Sequence, residues 1–252
     1  MNTMNLALIG YGKLGGVVKN IADSKGIFIS AIIDPTAEGA TAKDITEESL
    51  KGADVCIDFT LPEVVVGNVE KVAKLGKNMV VGTTGWHDDL EKVRKIVEDS
   101  GIGFLYASNF SLGMNIFFRM VKNSAAYFNK FPDYDSFGYE LHHNRKKDSP
   151  SGTAKSLAEI MVKGIDGKKK IVYDKLDRKI GEDELHFASV RAGDIPGTHV
   201  IGFDSVADTV ELKHTARNRE GFALGSLKAA EWINGKKGFY TIDDMMNEIL
   251  GE

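Results

Sequence analysis

Short apolar runs and helix-spaced apolar positions alternate through the first part of the chain. The run Leu6–Ile9 is followed by apolar residues spaced three and four apart, from Leu14 to Ile21. The run predicts a buried strand, and the spacing predicts an amphipathic helix. Further strand-like runs lie at Phe28–Ile33, Val55–Phe59, Met79–Val81 and Phe104–Tyr106. Strands that alternate with helices predict a parallel, doubly wound sheet of the α/β class.

Two of the intervening helices have visible boundaries. Pro62 suits the first turn of a helix, and the pattern extends that helix to Gly76. The next helix has Leu90 and Val97 on one side and ends near Gly101. Both helices are therefore predicted to connect neighbouring strands.

The pattern changes from about Phe110. A long helix is predicted first, and its Phe117 and Met120 are expected in the core. A strand over 135–143 and a helix from Ser151 follow, and 163–170 is expected to be an exposed loop. Three alternating stretches then lie at Leu185–Arg191, His199–Val206 and Thr209–His214. Short turns join them, so they predict an antiparallel sheet, and the chain after Arg219 is helical again.

A glycine-rich turn follows the first strand. It reads Gly10-Tyr-Gly-Lys-Leu-Gly15, and the second strand ends in Asp34. In a dinucleotide-binding unit the first glycine permits the tight turn, the second lets the backbone approach a pyrophosphate, and the third lets the helix pack on the strand. The helix N-terminus then faces the phosphates, and Asp34 can accept a hydrogen bond from a ribose hydroxyl. The turn predicts NADH or NADPH as cofactor.

The cofactor preference leans towards NADH. Asp34 should repel a 2′-phosphate, and it is followed by Pro35 rather than by an arginine. Lys13 in the glycine turn could partly neutralise that phosphate, so we expect NADPH to be tolerated.

These patterns together predict a Rossmann-like doubly wound parallel sheet with an inserted α+β domain that contains a mixed or antiparallel sheet. The nucleotide-binding domain is expected over 1–109 and 217–252, and the substrate-binding and oligomerisation domain over 110–216. Ligands bind at the carboxyl ends of the strands in such sheets. The turn Gly10–Gly15, Asp34, Phe59-Thr60, Gly82–Gly85 and Ala107–Phe110 all lie there.

The stretch 140–153, which reads Glu-Leu-His-His-Asn-Arg-Lys-Lys-Asp-Ser-Pro-Ser-Gly-Thr, is the most informative of the chain. In the strand before it Phe137, Tyr139 and Leu141 should form an apolar face, with His142 on the opposite face. Histidine can donate a proton near neutral pH. Lysine, arginine and the N-terminus of the helix after Ser151 can bind carboxylates. A His-rich basic run is often only a solvated surface, but its place between a strand and a helix favours a site for an acidic small molecule.

Composition narrows the class of protein. Of the 252 residues, 42% are hydrophobic and 27% charged, as in globular proteins, and the net charge of −4 argues against general nucleic-acid binding. No apolar run is long enough to span a membrane. The single cysteine, Cys56, excludes an intrachain disulfide, and a cytoplasmic location is the default expectation. No zinc-ligand spacing is visible, so no metal is predicted.

The sequence resembles the 4-hydroxy-tetrahydrodipicolinate reductase (dihydrodipicolinate reductase) family over nearly its whole length. The matching segments are Gly10–Gly15, Gly82-Thr-Thr-Gly85, Ser108-Asn-Phe-Ser-Leu-Gly-Met-Asn115, Glu140-Leu-His-His143, Lys146-x-Asp-x-Pro-Ser-Gly-Thr153, Arg191 with Gly197-Thr-His199, and His214 to Arg219-x-x-Phe222. The His-His to Ser-Gly-Thr segment is far more specific than the glycine turn. In this family a cyclic imine dicarboxylate, formed by loss of water from its 4-hydroxy precursor, is reduced to tetrahydrodipicolinate in lysine and diaminopimelate synthesis.

The resemblance implies roles for individual residues. His142 matches the general acid and Lys146 its catalytic partner. The substrate-binding candidates are His143, Lys146, Ser151, Gly152 and Thr153. The cofactor-binding candidates, together with the strand-end loops, are Gly10, Tyr11, Gly12, Lys13, Leu14, Gly15, Asp34, Phe59, Thr60, Gly82, Thr83, Thr84, Ser108, Asn109, Phe110, Arg219 and Phe222. The family is usually a homotetramer built through the inserted sheets. His186, His199 and His214 are expected to be structural or interfacial.

Two other functions stay open at this point. Another dehydrogenase of amino-acid metabolism, such as aspartate or homoserine dehydrogenase, would share the glycine turn and an inserted α+β region. A non-catalytic NAD(P)-sensing protein would bind the nucleotide without oxidising it. His142, Lys146 and the Ser-Gly-Thr turn together favour the imine reductase over both.

Overall fold

A computed structural model describes residues 4–173 and 175–252 of the protein. The chain forms two units, one of residues up to Leu112 together with Arg219–Glu252, and one of Gly113–Asn218. The predicted boundaries at 109/110 and 216/217 therefore lie within three residues of the observed ones. Among the described residues no helix combines the length and apolar character needed to cross a lipid bilayer.

The elements follow the predicted order with two additional strands. The first part contains β1 Asn5–Ile9, α1 Lys13–Ser24, β2 Phe28–Ile33, β3 Val55–Asp58, α2 Pro62–Lys74, β4 Asn78–Val81, a 3-10 turn His87–Asp89, α3 Leu90–Ser100 and β5 Gly103–Tyr106. The middle part contains α4 Leu112–Phe128, β6 Asp135–His142, α5 Gly152–Gly164, β7 Lys170–Val172, β8 Glu184–Arg191, β9 Thr198–Asp204 and β10 Thr209–Thr215. The chain then returns with α6 Glu220–Ile233, β11 Gly238–Thr241 and α7 Ile242–Leu250.

The first unit has a fully parallel sheet in the order β11-β5-β4-β3-β1-β2. Alternate residues of β1 pack on opposite faces, Leu6 and Leu8 towards α1, α6 and α7, and Ala7 and Ile9 towards α2 and α3. This is the predicted doubly wound arrangement. The sixth strand, β11, was not predicted, because four residues between two helices show no readable alternation.

The sheet of the second unit is mixed, in the order β10-β9-β6-β8-β7. The antiparallel prediction is right for β9 against β6 and β10, and wrong for β8, which pairs in parallel with both β6 and β7. The connection from β6 to β8 contains α5, so it is long enough for the crossover that a parallel pair needs. The exposed-loop prediction for 163–170 is right for most of the segment, but α5 continues to Gly164 and β7 begins at Lys170. It is wrong for Lys168, which is buried and whose amine donates to the carbonyls of Glu182 and Glu184.

The two faces of β6 have the predicted composition, and the more deeply buried one is the face that carries His142. Gly138, Glu140 and His142 lie on the buried face, whereas Phe137 and its apolar neighbours on the other face are only half-buried. The helices α4 and α5 cover the buried face, and a Cβ at Gly138 would lie 2.5 Å from the Phe187 ring. His142 therefore lies inside the unit. In α4, Met120 is exposed, contrary to prediction, and the core residues are Met114, Phe117, Val121 and Ala125.

Candidate active site

The glycine turn of the first unit is shaped by close backbone approaches. Gly10 has φ +89°, and a Cβ there would lie 2.6 Å from the carbonyl oxygen of Phe59. A Cβ at Gly15 would lie 2.3 Å from the carbonyl oxygen of Gly10. Gly12, in contrast, has open space in front of it and forms the N-cap of α1 without any side-chain cap. The start of α1 thus has no side-chain cap and leaves open space beside Gly12, which fits the close approach of a pyrophosphate.

Asp34 lies at the end of β2 and is held by several backbone amides. Its Oδ2 accepts from the Tyr11 amide at 2.8 Å, and its Oδ1 accepts from the amides of Thr36 and Ala37 at 2.9 Å. The Tyr11 amide, followed by the amides and hydroxyl of the next turn, keeps the pKa of Asp34 below its usual value despite some burial. A fixed carboxylate therefore lies beside the glycine turn, where a ribose hydroxyl would be recognised.

A cavity of about 300 Å³ lies in the first unit, a volume at the lower end for ligand pockets. It is lined by Lys13, Leu14, Phe59, Gly82, Ser108, Phe110, Arg219 and Phe222. All of these residues were among the predicted cofactor-binding candidates. The Phe59 ring accounts for the glycine at 82, since a Cβ at Gly82 would lie 2.1 Å from it.

Asp58 organises the loops at this edge of the sheet, and sequence reasoning missed it. The buried carboxylate accepts from the amide and hydroxyl of Thr60, from the Thr83 hydroxyl at 3.0 Å and from the Asn68 amide at 2.8 Å. Burial raises its pKa, although these hydrogen bonds oppose the rise. The hydroxyls of Thr60 and Thr83 are thus bound within the protein, and Asp58 ties together the loops that follow β3 and β4. A charged residue inside the apolar run Val55–Phe59 was the available signal.

In the second unit, Glu140 is the centre of a buried polar cluster. Its Oε1 accepts from the Ser151 amide at 2.9 Å, the Ser189 hydroxyl at 2.9 Å and the Arg191 guanidinium at 2.8 Å. Its Oε2 accepts from the Ser151 hydroxyl and lies 3.5 Å from His199 Nε2. Burial alone would raise the pKa of Glu140, but these contacts outweigh it and keep the pKa well below its usual range. The side chain is therefore an ionised carboxylate with no exposed surface.

His142 lies beside this carboxylate at the end of β6. Its Nδ1 is 3.2 Å from Glu140 Oε2, an ion-pair distance without hydrogen-bond alignment. Burial lowers the pKa of His142 to about 4, and Glu140 opposes that shift, whereas the charges of Lys146 and Arg191 add to it. In the free protein His142 is therefore neutral at physiological pH. A dianionic ligand close to the ring would raise this pKa and favour the imidazolium.

The loop after β6 carries the cationic and helix-terminal groups. The Lys146 amine pairs with Asp148 at 2.8 Å. Ser151 is the N-cap of α5, where its hydroxyl accepts from the Ala154 amide at 3.1 Å. Because that hydroxyl also binds Glu140, it is used within the protein, whereas Gly152 has open space in front of it. An amine and a helix N-terminus on one short loop can hold a carboxylate.

The structure thus brings two of the predicted residues, His142 and Ser151, to Glu140. Lys146 lies on the following loop and pairs with Asp148 instead. Sequence reasoning did not assign a role to Glu140 and placed His199 among the structural histidines. Alternation along β6 already put Glu140 and His142 on one face, but the approach of β8 and β9 could not be inferred from it. The buried network can hold a proton donor in place, and the adjacent loop can bind an acidic molecule.

Two family models match almost the whole chain. The model described as "Dihydrodipicolinate reductase, N-terminus" matches residues 4–110, and "Dihydrodipicolinate reductase, C-terminus" matches residues 113–246. The boundary between the two models lies beside the boundary between the two structural units.

Curated relatives and a solved structure point the same way. A 4-hydroxy-tetrahydrodipicolinate reductase from Christiangramia forsetii is 37% identical over 98% of this chain and 99% of its own length. One from Archaeoglobus fulgidus is 35% identical over 96% of this chain and 100% of its own. A dipicolinate-bound dihydrodipicolinate reductase from Paenisporosarcina sp. TG-14 has a TM-score of 0.77 at 23% identity, covering 96% of this chain and 99% of its own. This last likeness concerns the fold alone.

Proposed function

Since the chain belongs to the dihydrodipicolinate reductase family, we propose that it reduces the cyclic imine dicarboxylate derived from 4-hydroxy-tetrahydrodipicolinate to tetrahydrodipicolinate. The family makes it an NAD(P)H-dependent oxidoreductase of lysine and diaminopimelate synthesis. The observation that carries the proposal is the match of both halves of the chain to this one family. Neither an aspartate or homoserine dehydrogenase nor a nucleotide sensor is favoured by that match.

His142 is assigned the role of general acid. Reduction of a conjugated C=C–C=N system leaves an enamine-like carbanion equivalent, which must take up a proton on carbon. A bound nicotinamide supplies the hydride for this reduction. An imidazolium can supply the proton, and the substrate's two negative charges raise the low pKa of His142 on binding. In this mechanism His142 therefore becomes protonated and charged only when substrate is bound.

The loop 143–153 is assigned to the two substrate carboxylates. Lys146 supplies the positive charge, after exchanging its partner Asp148 for a substrate oxygen. His143, Gly152 and Thr153 are the further carboxylate contacts, the last two through the N-terminus of α5. Ser151 acts as the helix cap, because its hydroxyl is already bound to Glu140 and the Ala154 amide.

The glycine turn, Asp34 and the cavity-lining residues of the first unit are assigned to the nicotinamide nucleotide. We propose that NADH is preferred and NADPH tolerated, because the ionised Asp34 repels a 2′-phosphate whereas Lys13 partly offsets it. In Asp34→Asn the ratio of kcat/KM for NADPH to that for NADH should rise. Asp44→Asn, which alters an exposed carboxylate paired with Lys71, serves as the control.

The proposed reaction is tested with freshly generated substrate. Pyruvate and aspartate semialdehyde are condensed in the assay by a dihydrodipicolinate synthase, and the near-ultraviolet absorbance of NADH or NADPH is followed. Turnover with either nucleotide is the expected result. Measurable NADH binding without turnover would overturn the proposal and favour the sensing function.

We also propose a homotetramer that forms through the open face of the second sheet. Phe137, Tyr139 and Leu141 of β6 and Val190 of β8 lie on the face that α4 and α5 leave uncovered. Val190 keeps 45% of its surface exposed. An apolar sheet face of this kind is commonly covered by another subunit.

The oligomeric state is tested by light scattering coupled to size exclusion. Val190→Lys places a charge in the open face and should dissociate the assembly. Val206→Lys alters a fully exposed residue of the turn between β9 and β10 and should leave it intact. A monomeric wild-type protein would contradict the assignment.

A cytoplasmic location is part of the same proposal. The enzyme draws on the cell's reduced nicotinamide pool, and its single thiol, Cys56, is buried and free. Fractionation of cells with a specific antibody tests it, and enrichment outside the cytoplasmic fraction would contradict it.

A further inference from the structure

Glu140 is a fully buried carboxylate that four different elements of the second unit approach. Ser151 reaches it from the N-terminus of α5, Arg191 from β8, His199 from β9 and His142 from its own strand. A buried charge is expensive unless it is fully paired. The molecule therefore maintains this carboxylate through several independent contacts, two of which involve imidazole rings.

The negative charge of Oε2 favours a proton on the ring nitrogen that faces it in each histidine. His142 presents Nδ1 to this oxygen at 3.2 Å, and His199 presents Nε2 at 3.5 Å. A ring nitrogen that carries a lone pair would be repelled by a carboxylate, so we expect the proton of neutral His142 on Nδ1 and that of His199 on Nε2. Catalytic contacts are often loosely aligned before substrate binds. His142 Nε2 is then the atom that takes up and releases the catalytic proton.

The space beside His142 Nε2 is kept open by a glycine. A Cβ at Gly197, which has φ +152°, would lie 3.0 Å from this atom. His142 Nδ1 thus faces Glu140, and the glycine at position 197 leaves space beside Nε2.

The same three residues could in principle hold a metal ion, since ligand atoms of Glu140, His142 and His199 lie within 4.8 Å of one another. The other contacts of the carboxylate argue against this. The Arg191 guanidinium lies 2.8 Å from Oε1, and the Ser151 hydroxyl already donates to Oε2. A divalent cation would have to displace the hydroxyl and lie close to a guanidinium, so shared protons explain the cluster better.

Glu140 also connects the imidazole to the carboxylate-binding loop. Its two oxygens accept from the amide and the hydroxyl of Ser151, which caps α5. Arg191 donates both to Glu140 and to the main-chain carbonyl of Asp148, and the side chain of Asp148 pairs with Lys146. One side chain thus sets the position of the proton donor and of the loop that would hold the substrate.

We propose that Glu140 is a positioning residue of the reductase, which orients the His142 imidazole through Nδ1 and ties it to the Ser151 cap of the carboxylate-binding loop. The proposal rests on the function given above and deepens it. Glu140 acts through His142 and Ser151 and does not itself touch the substrate.

The charge of Glu140 has a defined effect on the pH profile. Lys146 of the loop, Arg191 of β8 and His199 of β9 all disfavour the His142 imidazolium, and Glu140 favours it. Removing the negative charge lowers the pKa of His142, so activity that needs the imidazolium is lost at lower pH. In Glu140→Gln the basic limb of kcat should move down by about one pH unit or more. Glu140→Asp keeps the charge, and its limb should stay near that of the wild type.

The kinetic test compares these two variants with a matched control. Glu140→Gln should lower kcat by about 10–100-fold, the usual cost of losing an orienting partner, and should raise KM because the Ser151 cap loosens. Glu184→Gln removes another arginine-paired carboxylate of the same unit, held by Arg178 and the Gly181 amide. Glu184 lies seven residues along β8 from Arg191, roughly 23 Å at about 3.3 Å per residue, so its variant should keep the wild-type pH limb.

A second readout does not require turnover. Spectra of the free protein labelled with ¹⁵N-histidine at neutral pH distinguish the two tautomers, and His142 is expected in the Nδ1–H form. Glu140→Gln should shift it towards the Nε2–H form that imidazoles favour in water. A wild-type His142 in the Nε2–H form would overturn the proposal even if no Glu140 variant folds.

The outcomes separate this proposal from the function it rests on. A folded Glu140→Gln with the wild-type tautomer and pH limb would reduce Glu140 to a structural role, while turnover by the wild type would leave the function intact. An equal shift of the basic pH limb in Glu184→Gln would also overturn the proposal. Activity that a chelator abolishes and Zn²⁺ restores would overturn it in favour of a metal site. Absence of wild-type turnover would overturn the proposed reductase function. The tautomer of His142 would then still show whether Glu140 orients the imidazole.

Discussion

The candidate sites of the two units are formed by different kinds of groups, main-chain groups in the first and side chains in the second. The first uses main-chain groups and the absence of side chains, as at Gly10, Gly12 and Gly15, to leave open space at the start of α1, where we propose that the nucleotide binds. The second uses a buried cluster of charged side chains centred on Glu140. A backbone site depends on local conformation, which one short segment specifies. A side-chain cluster depends on which strands become neighbours, and that is settled only by the tertiary fold.

The largest expected effect comes from His142, the proposed proton donor of the second unit. His142→Ala should lower kcat by about 10²–10⁴-fold, the usual contribution of a general acid, with KM little changed. Steady-state kinetics with the freshly generated substrate provides the measurement. His87→Ala, which alters an exposed histidine of the 3-10 turn in the first unit, is the control and should keep kcat. A His142→Ala enzyme at full rate would remove the imidazole from the mechanism.

The next largest effect is expected in the carboxylate-binding loop, residues 143–153. Lys146→Ala removes a charge-assisted contact worth about 1.5–3 kcal/mol, so kcat/KM should fall roughly 10–100-fold, with a higher KM and a lower kcat. Lys147→Ala changes an exposed neighbour of the same type and should be silent. Equal kinetics in the two variants would reject the carboxylate-binding role of Lys146.

A smaller effect tests the backbone site of the first unit. Gly15→Ala puts a methyl group 2.3 Å from the carbonyl oxygen of Gly10, and backbone cannot move aside cheaply. Overpacking of this kind costs about 1–3 kcal/mol, so NADH affinity measured by calorimetry should drop by roughly tenfold or more. Gly16→Ala, the next residue of α1, meets nothing within 4 Å and should bind NADH normally. If both variants bind alike, the close approach at Gly15 does not shape the site.

The same contrast explains which features were predictable from the sequence. The glycine turn and the parallel sheet were predicted, because strand, turn and helix follow one another along the chain. The residues that line the cavity of the first unit are all among the cofactor-binding candidates, and their role in binding stays a prediction. The role of Asp58 was not predicted, because its partners Thr60, Asn68 and Thr83 come from separate segments. A short edge strand such as β11 has no periodicity from which to infer it.

In the second unit the local patterns were right and their assembly was not. Alternation along β6 was read correctly, but it could not show that the face with Glu140 and His142 is the buried one. Burial there depends on the helices that cover the sheet and on the Phe187 ring that packs against Gly138. The parallel placement of β8, which delivers Arg191 to Glu140, likewise follows from a crossover and not from any pattern within β8.

The smallest effect is a difference in acid stability between the two units. The pKa of His142 falls from 6.5 to about 4 on folding, mainly by burial. Between these values the unfolded chain binds a proton that the folded unit does not, so stability is complete above the unfolded pKa and is lost as the pH falls from 6.5 towards 4. Asp58 has the opposite sign: its pKa is raised on folding, so acidification stabilises the first unit at this residue.

Both tryptophans, Trp86 and Trp232, lie in the first unit, so their fluorescence reports its unfolding, whereas far-ultraviolet circular dichroism reports both units. Between about pH 7 and about pH 5 the dichroism midpoint should fall more than the fluorescence midpoint. His142→Gln should reduce that fall, because the variant lacks the group that titrates. A fall of the same size in His142→Gln would show that other groups of the second unit, such as His214, carry its acid sensitivity.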